Sequence, residues 1–276
     1  MKARRRTLAL LRLHRITEAL MRRGVMTIRA AFDGVWLGVL DDEAMRLIDE
    51  SYYDEVPKYA DEAYNRRGLN DWERDAIDRF FAGRRRIVVT GAGGGREVLA
   101  LLDLGYDALG FEPNVKLVRF GEGLLARSGH PGRLRQVDRD AWPTDSGPCD
   151  GVIVGWGSYM LIRGRRRRVA FLRDARARLE PGAPLLVSFF ARSGRPGYLR
   201  LVVAIGGRIR RLRGAEPVEL GDAMERNYVH YFDRAEIGSE LREAGFELAW
   251  YDAAGYGKAV GLASANEPAS GAGPAG

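Results

Sequence analysis

The chain has one cysteine, Cys149, in 276 residues. That excludes an internal disulfide framework and a zinc site built from clustered cysteines. Histidine is nearly as scarce, with three in the chain, and no two have the spacing of a metal-binding motif. No run of about 18 uninterrupted apolar residues occurs, which argues against a membrane-spanning helix. Lysine stands only at positions 2, 58, 116 and 258, so nearly all of the 44 Lys and Arg residues are arginine. Walker-A sequences, a Ser-His-Asp order and internal repeats are absent.

What is present supports a folded α/β protein. Hydrophobic content of 46% and this length suit one α/β domain with an added cap, or two small domains. The net charge of +7 has two readings. One is a patch for nucleic acid or a membrane surface; the other is a plain preference for arginine. The run from Arg163 to Arg168, broken by Gly164, reads as the solvated start of a helix. Neither interleaved aromatics nor a base-reading motif accompanies it, so only charge argues for a nucleic-acid partner.

The most informative stretch is Ile87-Val88-Val89-Thr90-Gly91-Ala92-Gly93-Gly94-Gly95-Arg96-Glu97. It reads as a buried strand, a glycine-rich turn and a helix start. Glu112 follows at the end of a second strand, in Leu109-Gly110-Phe111-Glu112-Pro113. Glycines let the backbone approach a ligand, a helix N-terminus offers free N–H groups, and an acid at the next strand end accepts hydrogen bonds from ribose hydroxyls. A dinucleotide fingerprint requires glycine at 96, where this chain has Arg96. The glycines instead fall at 91, 93 and 95.

This spacing resembles motif I of the class I S-adenosylmethionine-dependent methyltransferases. Further segments resemble that family in the correct order. Val137-Asp138-Arg139-Asp140 looks like its acidic loop after strand 3, and Cys149 to Trp156 like strand 4. Arg178 to Val187 looks like its helix, Pro-Gly turn and strand 5. Leu241 to Leu248 looks like its helix end and strand 6 start. The resemblance covers roughly residues 85 to 263. It implies a doubly wound, mostly parallel Rossmann-like sheet of about seven strands with a terminal antiparallel hairpin. It also implies S-adenosyl-L-methionine as cofactor and, with an N-terminal helical cap, a small-molecule acceptor. An NAD(P)-dependent oxidoreductase, a nucleic-acid methyltransferase and a non-catalytic binding protein on the same fold remain as alternatives.

The pattern divides the chain into an N-terminal helical segment or cap at 1–82, a Rossmann-like domain at 83–263 and a disordered tail at 264–276. Strands are expected near 86–90, 107–111, 133–137, 151–155 and 184–190, with helices near 95–104, 114–127, 164–179 and 234–244. Residues 191–227 do not alternate cleanly and are a candidate substrate-cap insertion. Residues 246–251 and 258–263 read as a hairpin. Residues 1–24 are arginine-rich, with Leu13, Ile16 and Leu20 on one helical face. They read as a peripheral membrane helix, a lid, or residues upstream of a start at Met21 or Met26. Arg12, His14 and Arg15 interrupt any signal-peptide core, so a cytoplasmic location is expected.

The resemblance assigns Gly91, Ala92, Gly93 and Gly95 to the methionine part and ribose of the cofactor. Close helix–strand packing is the competing role of Gly95. Glu112, with Pro113, is assigned to the ribose hydroxyls. Asp138 and the Arg139 backbone are placed beside the adenine, with Asp140 as the alternative register. Trp156 either lines the site or packs in the core. The family often carries an acid two residues before the first glycine, near the donor's amino group; here that position is Val89. Glu97 reads as too far into the helix to replace it. His230 is the candidate general base, a buried structural histidine being the competing reading. Tyr59 and Tyr64 are candidate acceptor-binding residues, or packing residues of the cap.

Overall fold

The computed structural model describes residues 2–192 and 196–265. In chain order the elements begin with helices α1 (Lys2–Val39), α2 (Asp42–Glu55), α3 (Glu62–Arg66) and α4 (Asp71–Phe80). Strand and helix then alternate: β1 (Arg86–Thr90), α5 (Arg96–Asp103), β2 (Asp107–Glu112), α6 (Val115–Arg127), β3 (Leu134–Gln136), β4 (Gly151–Val154), α7 (Arg165–Arg176) and β5 (Pro184–Ala191). The chain continues with α8 (Pro196–Leu212), β6 (Asp222–Met224), β7 (Tyr228–Phe232), α9 (Arg234–Glu243) and the strands β8 (Phe246–Asp252) and β9 (Gly257–Ala263). The tail reading beyond residue 265 lies outside the described residues.

Contacts divide the chain into two units. The smaller takes the chain up to Asp41 and the segment ending at Met224; the larger runs from Asp42 to Arg192 and resumes at Glu225. The segment 1–82 is thus shared between them.

In the larger unit the strands follow the order β3-β2-β1-β4-β5-β9-β8. All are parallel except β9, which lies antiparallel between β5 and β8. The hairpin expected at the C-terminus is therefore built into the sheet. Strand β5 divides its partners: Pro184 to Phe189 pair with β9, whereas Phe190 and Ala191 pair with β7 in parallel. Strands β6 and β7 were not expected, because neither alternates apolar with polar residues. Tyr228, Val229 and His230 are all buried.

Local chemistry starts the helices where the sheet needs them. Asn70 begins α4 by donating its N–H to Glu73 Oε2 at 2.6 Å. The side chains of Asn114 and Asp233 accept from Leu117 N at 3.0 Å and Glu236 N at 2.9 Å to cap α6 and α9. Helix α4 and the residue that caps its end press Ile77 and Phe81 into the core beside Ile87, Val89, Val98, Leu101 and Leu124, all fully or almost fully buried. Each such side chain contributes about 1.5–3 kcal/mol through burial. Because β1 lies between β2 and β4, the chain leaves it in opposite directions, opening a crevice at the C-terminal strand ends.

The arginine run departs from its expected solvated face. Arg168 is fully buried, donating to Glu240 at 2.7 Å from Nη2 and lying 5.1 Å from the Phe232 ring centre. Arg163 and Arg167 donate to Asp42, and Arg165 to Glu243. These ion pairs hold elements together.

In the smaller unit α1 and α8 pack closely because glycines replace side chains at their contact. A Cβ on Gly34 would fall 2.9 Å from Ile205 Cβ, and one on Gly38 only 2.6 Å from Ile209 Cβ. Arg210 Nε donates to the Leu37 carbonyl at 2.8 Å. Arg29 bonds the carbonyl of Met224 on β6. Among the described residues no helix is long and apolar enough to cross a membrane.

Candidate functional site

A cleft open to solvent lies at the C-terminal ends of β1, β2 and β4. Its floor is the turn after β1. Gly91 and Gly93 adopt φ of +60° and +55°, a region that favours glycine. A Cβ on Gly91 would meet Ser158 Oγ at 2.3 Å. A Cβ on Gly93 would meet nothing within 4 Å and would project into open space. Gly91, Ala92 and Gly93 line the cavity. Gly95 does not: it faces Leu125 and Gly121, the helix-packing role.

Glu112 forms the adjoining wall with Pro113. It is buried, and both carboxylate oxygens are anchored. Oε2 accepts from Gly93 N at 2.8 Å, and Oε1 from Asn114 N at 2.9 Å. Burial raises its pKa to about 7, outweighing the two backbone hydrogen bonds that act the other way. Each oxygen has further acceptor capacity.

The loop after β3 brings Asp138, Arg139 and Asp140 to the cavity. Asp140 has φ +58°, and burial raises its pKa. Arg139 is held by a partner outside the sheet motifs: Asp49 of α2 accepts from Arg139 and also from Asn227. Asp49 and Tyr53 are four residues apart, so one face of α2 lines the site. That spacing was visible in the sequence, but nothing in it tied α2 to the strand ends.

Thr90 was also missed, and Glu97 was weighed and set aside. Thr90, the last residue of β1, is buried in the cavity wall, and its Oγ1 has no hydrogen-bond partner among the described residues. Val89 is fully buried in the core. Glu97, the second residue of α5, reaches the cavity lining. Its Oε1 accepts from Arg96 at 2.5 Å and from Trp156 N at 3.2 Å. Burial raises its pKa, with Arg96 opposing. Arg96 in turn grips Glu73 with two bonds of 2.6 Å. The residue that breaks the dinucleotide fingerprint thus clamps two buried acids.

Tyr59, Tyr64 and Trp156 also line the cavity. The Lys58 ammonium lies 4.7 Å from the Tyr64 ring centre and 5.9 Å from those of Tyr59 and Trp156. Burial raises the pKa of Tyr59 and Tyr64. His230 is not in this lining. It is fully buried on β7, with Nε2 3.0 Å from Glu236 Oε1 and its ring 4.5 Å from that of Phe232. The structure places it in the packing role and away from the cavity.

The cavity lining is rich in acidic groups although the protein is net basic. Asp49, Glu50, Glu97, Glu112, Asp138 and Asp140 supply six carboxyl groups, against the guanidiniums of Arg96 and Arg139. Such a lining favours a cationic ligand and opposes a phosphate-bearing one.

No protein-family model matches the sequence, and no curated protein matches it. Solved structures do match. The CcbJ methyltransferase from Streptomyces caelestis has a TM-score of 0.55 at 17% identity, covering 78% of this chain and 96% of that one. CalS10, an amino pentose methyltransferase from Micromonospora echinaspora solved with its cofactor, has a TM-score of 0.52 at 17% identity, covering 73% and 95%. The sugar N-methyltransferase KedS8 from a Streptoalloteichus species has a TM-score of 0.53 at 16% identity, covering 78% and 92%. Together with the strand order, these likenesses give the chain the fold of the class I S-adenosylmethionine-dependent methyltransferases.

Proposed function

We propose that this protein transfers a methyl group from S-adenosyl-L-methionine to a small-molecule acceptor. The observation that carries the reading is an acid-rich cavity at the strand ends of a net basic protein. The cofactor supplies a methyl group on a positively charged sulfur. A pyrophosphate would meet the same carboxylates as repulsion, which disfavours the NAD(P) alternative. Nucleic-acid phosphates are disfavoured for the same reason.

The residues present fit the cofactor. Glu112 is anchored by Gly93 and Asn114 and retains capacity for two ribose hydroxyls. Gly93 leaves open space where a side chain would stand, and Thr90 presents a buried hydroxyl without a partner. Asp138 and Arg139 take the adenine side, with Asp49 positioning Arg139. Glu97 takes the amino-group role left vacant by Val89. Tyr59, Tyr64 and Trp156 enclose the acceptor, hold it in line and exclude water. The sugar and amino-sugar activities of KedS8 and CalS10 support an acceptor of small-molecule size. His230 takes no part in proton transfer in this reading.

The test is a thermal-shift comparison. Adenosylhomocysteine should raise the melting temperature, and NAD and NADP should not, since a ligand that binds only the native state stabilises it. A shift with NAD alone would overturn the proposal.

A further inference from the structure

Helix α1 carries an apolar stripe that the described residues leave uncovered. Met21, Val25, Ile28, Phe32, Val35 and Val39 recur every three or four residues and are all exposed, Ile28 at 72% and Phe32 at 53%. Between positions 10 and 20 Leu10 continues the stripe, while Leu13, Leu20 and Ile16 turn progressively away from it round the helix, each at least half exposed. At about 1.5 Å per residue, residues 10–39 extend over about 45 Å. The opposite face differs between the two halves. From Ala30 onward it is buried, with Gly34 and Gly38 against α8. Nearer the N-terminus the exposed arginines Arg12, Arg15, Arg22 and Arg23 stand about 100° or more round the helix from the stripe, Arg12 and Arg23 on the side of Ile16.

We infer that α1 docks this protein on an anionic bilayer surface, lying along it with the stripe sunk into the acyl boundary. A large apolar face backed by arginines, with a phenylalanine and Trp36 on or beside it, is the make-up of an interfacial helix. Long arginine side chains reach back to lipid phosphates from the flanks. Charge supports the lipid over a second copy of the chain. In residues 10–39 five arginines face two acids: Asp33 is buried, and Glu18 is tied to Arg22 at 2.5 Å. A second copy would bring like charges together, whereas anionic headgroups complement them. The stripe also swings sideways at Leu13, Ile16 and Leu20, making it broader than the narrow seam of a coiled coil.

The test is co-sedimentation of the full chain with phosphatidylcholine vesicles, with and without phosphatidylserine, at low and high salt. Binding is expected on the phosphatidylserine vesicles, with about tenfold weaker binding when that lipid is left out or salt is raised. The double variant Ile28→Glu/Phe32→Glu should lower vesicle affinity at least about tenfold without moving the melting temperature, because both side chains are exposed. Arg12→Ala/Arg15→Ala/Arg23→Ala should abolish the lipid preference while leaving residual binding. Failure to bind phosphatidylserine vesicles would overturn the inference. So would binding that survives Ile28→Glu/Phe32→Glu, or a dimer in solution that the same variant dissolves.

Discussion

If Glu112 holds the ribose as a carboxylate, cofactor affinity must follow its ionisation. Burial raises its pKa from 4.5 to about 7 in the free protein. About a tenth of the molecules then carry the ionised group at pH 6, and about nine-tenths at pH 8. Adenosylhomocysteine should bind about tenfold more weakly at pH 6 than at pH 8, a difference of about 1.4 kcal/mol. Calorimetry below pH 7 should register proton release on binding, because the ligand favours the ionised form. Unliganded stability should change in the opposite sense. The folded pKa is raised above the unfolded one, so the stabilising contribution is complete below pH 4.5 and is lost as pH rises through about 7. Across that window it amounts to about 3 kcal/mol. Glu112→Gln turns one anchored acceptor into a donor facing a backbone N–H. It should weaken adenosylhomocysteine by roughly 1.5–3 kcal/mol and flatten the Glu112 part of the profile. A wild-type affinity constant from pH 6 to pH 8, or a Gln variant retaining the full pH dependence, would refute the reasoning.

Gly93→Val forces a branched residue into φ +55° and fills the open space beside Glu112. It should cost about 1–2 kcal/mol of stability and remove measurable adenosylhomocysteine binding, checked by urea denaturation and calorimetry. Arg96→Ala leaves Glu73 and Glu97 buried without their shared cation. It should destabilise the protein by about 3–5 kcal/mol, read from the denaturation midpoint. His230→Gln should lower the melting temperature through its lost contact with Glu236 while leaving adenosylhomocysteine affinity unchanged; a variant with native stability and weakened binding would return His230 to the site.

The central sheet was legible because its signals are local. The run Ile87 to Gly95 carries strand, turn and helix start within one window, and β1 and α5 fall where that window puts them. The place of Glu112 in the cavity wall was legible for the same reason, since it stands at a strand end beside a proline. Residues whose roles depend on distant partners were not. Asp49 gains its role from Arg139, 90 positions away, and Glu97 gains its position from Arg96 and the Trp156 N–H. Tyr228 to Phe232 hid its strand character because it is buried along nearly its whole length, which removes the alternation that marks a half-exposed strand. His230 looked reactive because histidine titrates near neutral pH, a property of the residue type that says nothing of whether the fold exposes it.

The most direct test of the account is a crystal structure of the full chain with adenosylhomocysteine. The account predicts both ribose hydroxyls on the Glu112 carboxylate, the adenine beside Asp138 and Arg139, and the amino-acid end over Gly91 and Gly93 within reach of Thr90 and Glu97. A ligand bound elsewhere, or one in this cavity that makes no contact with Glu112, would contradict it.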